Sequence, residues 1–234
     1  LNIIEGRQQL VPPSFIHENQ SEEVFPLVVD ASTNHVHVGI PENEGWQCLA
    51  RVEEQALEGL FLATEKILQD SKKQISRVSS VYYCEGPGST LGLRLAAAFV
   101  RTIKWSHTHA DFEVFTYNSL DLASLLVSPK NSVIQAPFRV GFRFVRIPNS
   151  SPLEAEKKIL PQDDAFAEYP DSFHLPDIRK RATPVLPEQT INYDLSKING
   201  LADLNLISKP CSSILPYNPK APEFKKWTPR QLGK

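Results

Sequence analysis

The chain has 234 residues, 41% apolar and 22% charged, with a formal net charge of −2. That length permits one large domain or two small lobes, with enough apolar material for a core. The near-neutral charge disfavours a free-standing nucleic-acid binder, which would show a basic face, and no apolar run is long enough to span a membrane.

Residues 1–24 are polar and mixed, with Pro12-Pro13 and the acidic Glu22-Glu23, and read as an N-terminal extension. Phe25–Asp30 is a short apolar strand ending in an acid. Ala31-Ser32-Thr33-Asn34 supplies turn chemistry. Residues 35–40 then alternate as a return strand, and Trp46–Val52 completes an antiparallel meander. Ala56–Ser71 is a helix: Leu57, Leu60, Phe61, Thr64, Ile67 and Leu68 follow the three-four spacing of one helical face. Gly59 interrupts it, a cost of about 1 kcal/mol against alanine, which suggests close helix–helix packing at that point. Residues 78–84 are β-branched and aromatic, a buried strand. Gly86-Pro87-Gly88 stops it, and Ser89 or Thr90 caps a helix over 90–105 that is apolar almost all round. Leu93, Ala97 and Val100 lie on it. One side of such a helix meets the sheet; the other needs the first helix, a partner chain or both.

Residues 112–116 read as a strand, and Asn118 or Ser119 caps a short helix to about Val127. From Pro129 onward the chain changes character, holding 14 of the 19 prolines, so a second, more irregular lobe is expected there. Strands are predicted at 133–136 and 140–147, a helix at 153–159 within the loop-rich 148–187, and a last helix at 198–207. The domain reading is therefore a first lobe over 25–110, completed by the C-terminal segment, a second lobe over 111–215, and a proline- and lysine-rich tail over 216–234. Cys48, Cys84 and Cys211 are too widely spaced for a zinc site or a disulfide framework. No secretory leader pattern appears, so a cytoplasmic setting is expected.

Asp30, Ser32 and Thr33 on one turn, and Gly86, Gly88 and Ser89 on the other, are the residue types of a nucleotide-phosphate site. Turn N–H groups and a helix N-terminus attract an anion, and Arg94, one and a half turns on, either reaches it or pairs with Glu85. The competing reading gives the glycines to turn geometry and Asp30 to capping a strand end. His35 with His37, or His107 with His109, offers imidazole pairs for a metal without a third ligand in sequence. Gly-Pro-Gly-Ser lacks the Gly-x-Ser-x-Gly spacing of a hydrolase nucleophile. The two long helices suggest an interaction face, with Leu57, Gly59, Leu60, Phe61, Thr64, Leu68, Leu93, Ala97 and Val100 as candidates, set against ordinary core packing.

The order of elements and three strings of residues resemble the bacterial TsaB (YeaZ) family. They are Leu27-Val28-Val29-Asp30-Ala31-Ser32-Thr33, Gly86-Pro87-Gly88-Ser89-Thr90-Leu91-Gly92-Leu93-Arg94 and Phe115-Thr116-Tyr117-Asn118-Ser119-Leu120-Asp121. Pro216-Tyr217-Asn218-Pro219 with Lys225-Lys226-Trp227 resembles the family's tail. The resemblance is good over 25–127 and weak beyond. It implies an α/β, actin-like or ribonuclease H-like two-lobed fold, with a mixed sheet, an antiparallel meander and flanking helices. It also implies a non-catalytic partner of a TsaD-type enzyme, working with a TsaE-type ATPase in threonylcarbamoylation of tRNA adenosine. Contact is through a helical face, with a homodimer as an alternative and tRNA met only through the complex. The chain departs from the family at Ala31, where a threonine is usual, and at Thr90-Leu91, where Phe-Thr is usual. Gln135-Ala136-Pro137-Phe138-Arg139 lacks the family's acid, Phe142 stands near an expected glutamate, and no histidine stands near Gln55. These changes weaken nucleotide hydrolysis, so no cofactor is expected and magnesium-ATP is disfavoured. An independent actin-like nucleotide hydrolase or phosphotransferase is the alternative.

Overall fold

The computed structural model describes residues 23–107, 111–129, 131–177 and 185–217. β1 (Phe25–Asp30), β2 (Val36–Pro41) and β3 (Trp46–Val52) form the antiparallel meander, in register from Val28 against Gly39 to Asp30 against His37. The chain then crosses through α1 (Ala56–Ser71) to β4 (Val78–Gly86), which lies parallel to β1, and through α2 (Thr90–Ser106) to β5 (Glu113–Asn118), parallel to β4. This is the mixed sheet with an antiparallel meander and flanking helices that the resemblance implies. α3 (Ser119–Leu125) follows directly. β6 (Ile134–Arg139), β7 (Phe142–Ile147) and β8 (Glu156–Pro161) form a second antiparallel group. α4 (Gln162–Glu168), β9 (Phe173–His174), α5 (Gly200–Ile207) and β10 (Ser208–Pro210) complete the chain. The six-stranded sheet runs β10-β5-β4-β1-β2-β3 and the four-stranded sheet β8-β7-β6-β9.

Strand alternation divides the core. Leu27, Val29, Val81 and Tyr83 point to one face of the large sheet, where α1 and α2 cover them; Val28, Tyr82, Cys84 and Tyr117 point to the other, toward the second sheet. On the helix side Leu60 and Ile67 of α1 are almost fully buried, contributing about 3–6 kcal/mol together. Asp121 on α3 ties the two sheets. Its carboxylate accepts from Arg146 Nε of β7 at 2.7 Å and meets Lys157 Nζ of β8 at 2.8 Å, with Asp121 and Arg146 buried.

Three expectations change. The helix foreseen at 153–159 is a short turn at Pro152–Glu154 followed by β8, because Glu156–Pro161 finds a full ladder on β7. The last helix starts at Gly200 rather than 198. Gly59 does not serve helix–helix contact: a Cβ there would lie 2.9 Å from the Val36 side chain, so the glycine lets α1 settle on β2. Among the described residues no helix is long and apolar enough to cross a membrane.

Candidate functional site

Asp30 ends β1 with its side chain fully buried. One carboxylate oxygen accepts the Ser32 N–H at 2.8 Å. The other accepts two phenolic hydroxyls, Tyr117 at 2.8 Å and Tyr193 at 2.7 Å. Burial, with the Asp30 charge beside them, pushes both phenols well above their ordinary range, so both stay protonated and donate. Across the ladder stands His37, also fully buried. Desolvation pushes its imidazole down, and neither ring nitrogen has a hydrogen-bond partner. Asp194, 3.9 Å away, pairs with Arg51 at 3.3 Å. Asp30 is therefore enclosed by donors of its own chain, and it is not among the residues lining the cleft described below.

The turn between β4 and α2 is pressed backbone to backbone onto the Asp30 turn. The Ser89 N–H donates to the Ser32 carbonyl at 2.7 Å. A Cβ on Gly88 would lie 2.2 Å from that carbonyl oxygen, and one on Gly92 2.0 Å from the Ala31 carbonyl oxygen. No side chain fits in either gap. Gly86, at φ +113°, sets the chain direction into the turn. Ser89 rather than Thr90 caps α2, accepting the Gly92 N–H at 3.2 Å, and Asn118 caps α3 through the Leu120 N–H. Arg94 does not pair with Glu85, which instead meets Lys209 at 3.9 Å and the Thr116 hydroxyl at 3.4 Å. Ser32, Thr33, Gly88, Ser89 and Arg94 do come together, along one wall of a cleft of about 610 Å³ between the two sheets.

Among the described residues the histidines do not assemble a metal centre. His35 lies against Arg51, the His107 ring contacts the Ile103 carbonyl and Phe112, and His109 lies outside the described residues. Among the described residues no group of three candidate metal ligands occurs. Arg179-Lys180-Arg181, most of the tail and nearly all of residues 1–24 also fall outside the described residues.

The candidate interface residues split in two. Gly59, Leu60, Thr64, Leu93, Ala97 and Val100 are buried in the chain's own core. Leu57 and Phe61 are 55% and 60% exposed, and Leu68 is half-buried beside them. α2 adds Leu91 and Trp105, 66% and 81% exposed, on an outer face they share with the exposed Arg94, Arg101 and Lys104, so the helix expected to be apolar almost all round has a polar side. Phe61 meets Phe99 edge to face at 5.9 Å, and below them an apolar groove runs between the helices, floored by Leu68, Ile75 and Ile103. Tyr117 and Tyr193 are the other residues the sequence did not point to.

A structure of YeaZ from Pseudomonas aeruginosa superposes with a TM-score of 0.53 at 18% identity, covering 78% of this chain and 89% of that one. The chain has the YeaZ fold. A second Pseudomonas aeruginosa structure, described as an uncharacterised protein with similarity to peptidase YeaZ, matches at TM-score 0.51 and 18% identity, over 78% and 88% of the two chains. Residues 51–128 match the family model of TsaD, tRNA N6-adenosine threonylcarbamoyltransferase. That segment holds α1, the β4–α2 turn, α2 and β5, so the matched third of this YeaZ-fold chain carries both the helix face and the glycine turn. A comparison with curated proteins returns no match. The resemblance drawn from the residue strings is borne out.

Proposed function

We propose that this chain is a non-catalytic subunit in the formation of threonylcarbamoyladenosine in tRNA. It docks a TsaD-type catalytic subunit through the outer face of α1 and α2, with a TsaE-type ATPase completing the set and tRNA engaged only through the complex. The observation that carries the reading is the exposure of Leu57 and Phe61 on α1 and of Leu91 and Trp105 on α2, helices whose inner faces are already committed to the core, with Leu91 also at the edge of the cleft. Large exposed apolar side chains grouped on two neighbouring elements mark a surface that another protein covers. The enclosure of Asp30 by Tyr117 and Tyr193 supports a supporting rather than a hydrolytic role. A magnesium–phosphate centre needs a carboxylate facing the substrate, and here the acid holds the fold together.

Reconstitution tests this. A TsaD-type enzyme with TsaE-type ATPase, threonylcarbamoyl-adenylate and substrate tRNA should modify tRNA only when this chain is added. Full modification without it, or steady ATP hydrolysis by the purified chain alone, would overturn the proposal.

A further inference from the structure

The groove between α1 and α2 has a one-sided chemistry. Phe61, Leu68, Ile75, Phe99 and Ile103 supply its apolar lining. Its polar groups are already paired within their own helices. The Thr64 and Thr102 hydroxyls donate to the Leu60 and Ala98 carbonyls at 2.6 and 3.0 Å, and the Ser106 hydroxyl to the Ile103 carbonyl at 2.8 Å. The Gln69 amide donates to the Glu65 carboxylate at 3.1 Å. A lining of this kind suits an occupant that is apolar and brings few donors of its own. The chain itself enters the fold beside this groove. Lys73, on the lining, meets the Glu23 carboxylate at 3.4 Å and lies over the Phe25 ring at 5.2 Å. The residues that lead into β1 are thereby fastened to the groove's Lys73 end.

We propose that residues 10–16 of the chain, Leu10-Val11-Pro12-Pro13-Ser14-Phe15-Ile16, dock back into this groove of their own molecule. They are the apolar stretch upstream of Glu23, and their two prolines carry no N–H to leave unsatisfied. Proline-rich segments favour an extended conformation and dock in aromatic-lined grooves; here Phe61 and Phe99 meet edge to face at 5.9 Å. The reach is sufficient. The seven steps from Ile16 to Glu23 span up to about 25 Å, and the α1 wall from Phe61 to Gln69 is about 12 Å long at about 1.5 Å per residue. A tether this short holds the segment at about millimolar local concentration, so an affinity too weak to join separate molecules fills the groove in cis. Leu57, Leu91 and Trp105 stay outside the groove. On the docking reading above, a partner that covers Phe61 must displace the segment, which makes it an internal competitor for part of that face.

The test is fluorescence anisotropy of a labelled synthetic peptide of residues 8–18 titrated with the full chain, no other protein present. The double variant Phe15→Asp with Ile16→Asp empties the groove and should bind the peptide about tenfold more tightly than the wild type, whose own segment competes. Adding Phe61→Asp or Thr102→Arg to the double variant, both at exposed positions with circular dichroism as the check on folding, should abolish that binding. Equal affinity of the wild type and the double variant, no binding to the double variant at millimolar peptide, or binding that survives both groove substitutions would each overturn the proposal. So would a wild-type dimer by light scattering that the double variant lacks, since the segment would then cross to a second copy. None of these results bears on whether a TsaD-type subunit docks on α1 and α2.

Discussion

Replacing Asp30 with alanine separates an acid that does chemistry from one that holds the fold. In the wild type the carboxylate accepts from Tyr117, Tyr193 and the Ser32 N–H, all away from water. Removal leaves at least the two phenols as buried donors without an acceptor. Each unsatisfied group costs about 1–3 kcal/mol, so the variant should lose about 2–6 kcal/mol. That is a large part of the roughly 5–15 kcal/mol that keeps a domain folded. For a chain of this size it corresponds to a fall in Tm of about 4–24 °C. Tyr193→Phe removes one donor from a charged acceptor and should cost about 1.5–3 kcal/mol. The assay is thermal and urea unfolding followed by circular dichroism on the three proteins. Active-site acids held for function are commonly replaced with no loss of stability, or a gain. An Asp30→Ala protein as stable as the wild type would therefore refute the structural reading of this carboxylate.

Other consequences are as direct. Gly88→Ala and Gly92→Ala each force a methyl group against a backbone carbonyl that cannot swing aside; each should cost about 1–3 kcal/mol or more, read as a lower urea midpoint. Asp121→Ala strands Arg146 and Lys157 without their carboxylate and should cost about 3–5 kcal/mol; an unchanged urea midpoint would show that the pair does not join the sheets. His37 and His174 are both held below their ordinary range by burial, His174 to about 4 with the Arg143 cation adding to the effect. Their depressed values mean that the unfolded chain binds more protons than the folded one below about pH 6.5. Stability should hold above that pH and fall steadily as pH drops toward 4, and a flat Tm over that window would contradict the neutral assignment.

The first half of the chain was legible because its signals are local. The alternation of 35–40, the three-four spacing of α1 and the Gly-Pro-Gly-Ser stop each lie within a few residues of what they determine. The stretch 153–159 misled because it offers no local reason to extend; it becomes β8 through six residues of pairing to β7, a tertiary cause. β9 and β10, of two and three residues, are too short to carry a period. At the site, Asp30 and its turn were readable, but the groups that close it come from positions 87 and 163 residues away, Tyr193 in an irregular segment. Likewise the many apolar residues of α2 pointed to burial on two sides, whereas Arg94, Arg101 and Lys104 lie exposed with Leu91 and Trp105 while Ala97 and Val100 go in.

If the outer face of α1 and α2 is a docking surface, the mass of a complex will show it. Light scattering on the purified chain mixed with a TsaD-type subunit should report a heterodimer. Phe61→Asp with Trp105→Asp should abolish that species while shifting stability little, since both side chains are largely exposed. Two separate monomer peaks for the wild-type mixture, or a complex that survives both substitutions, would contradict it.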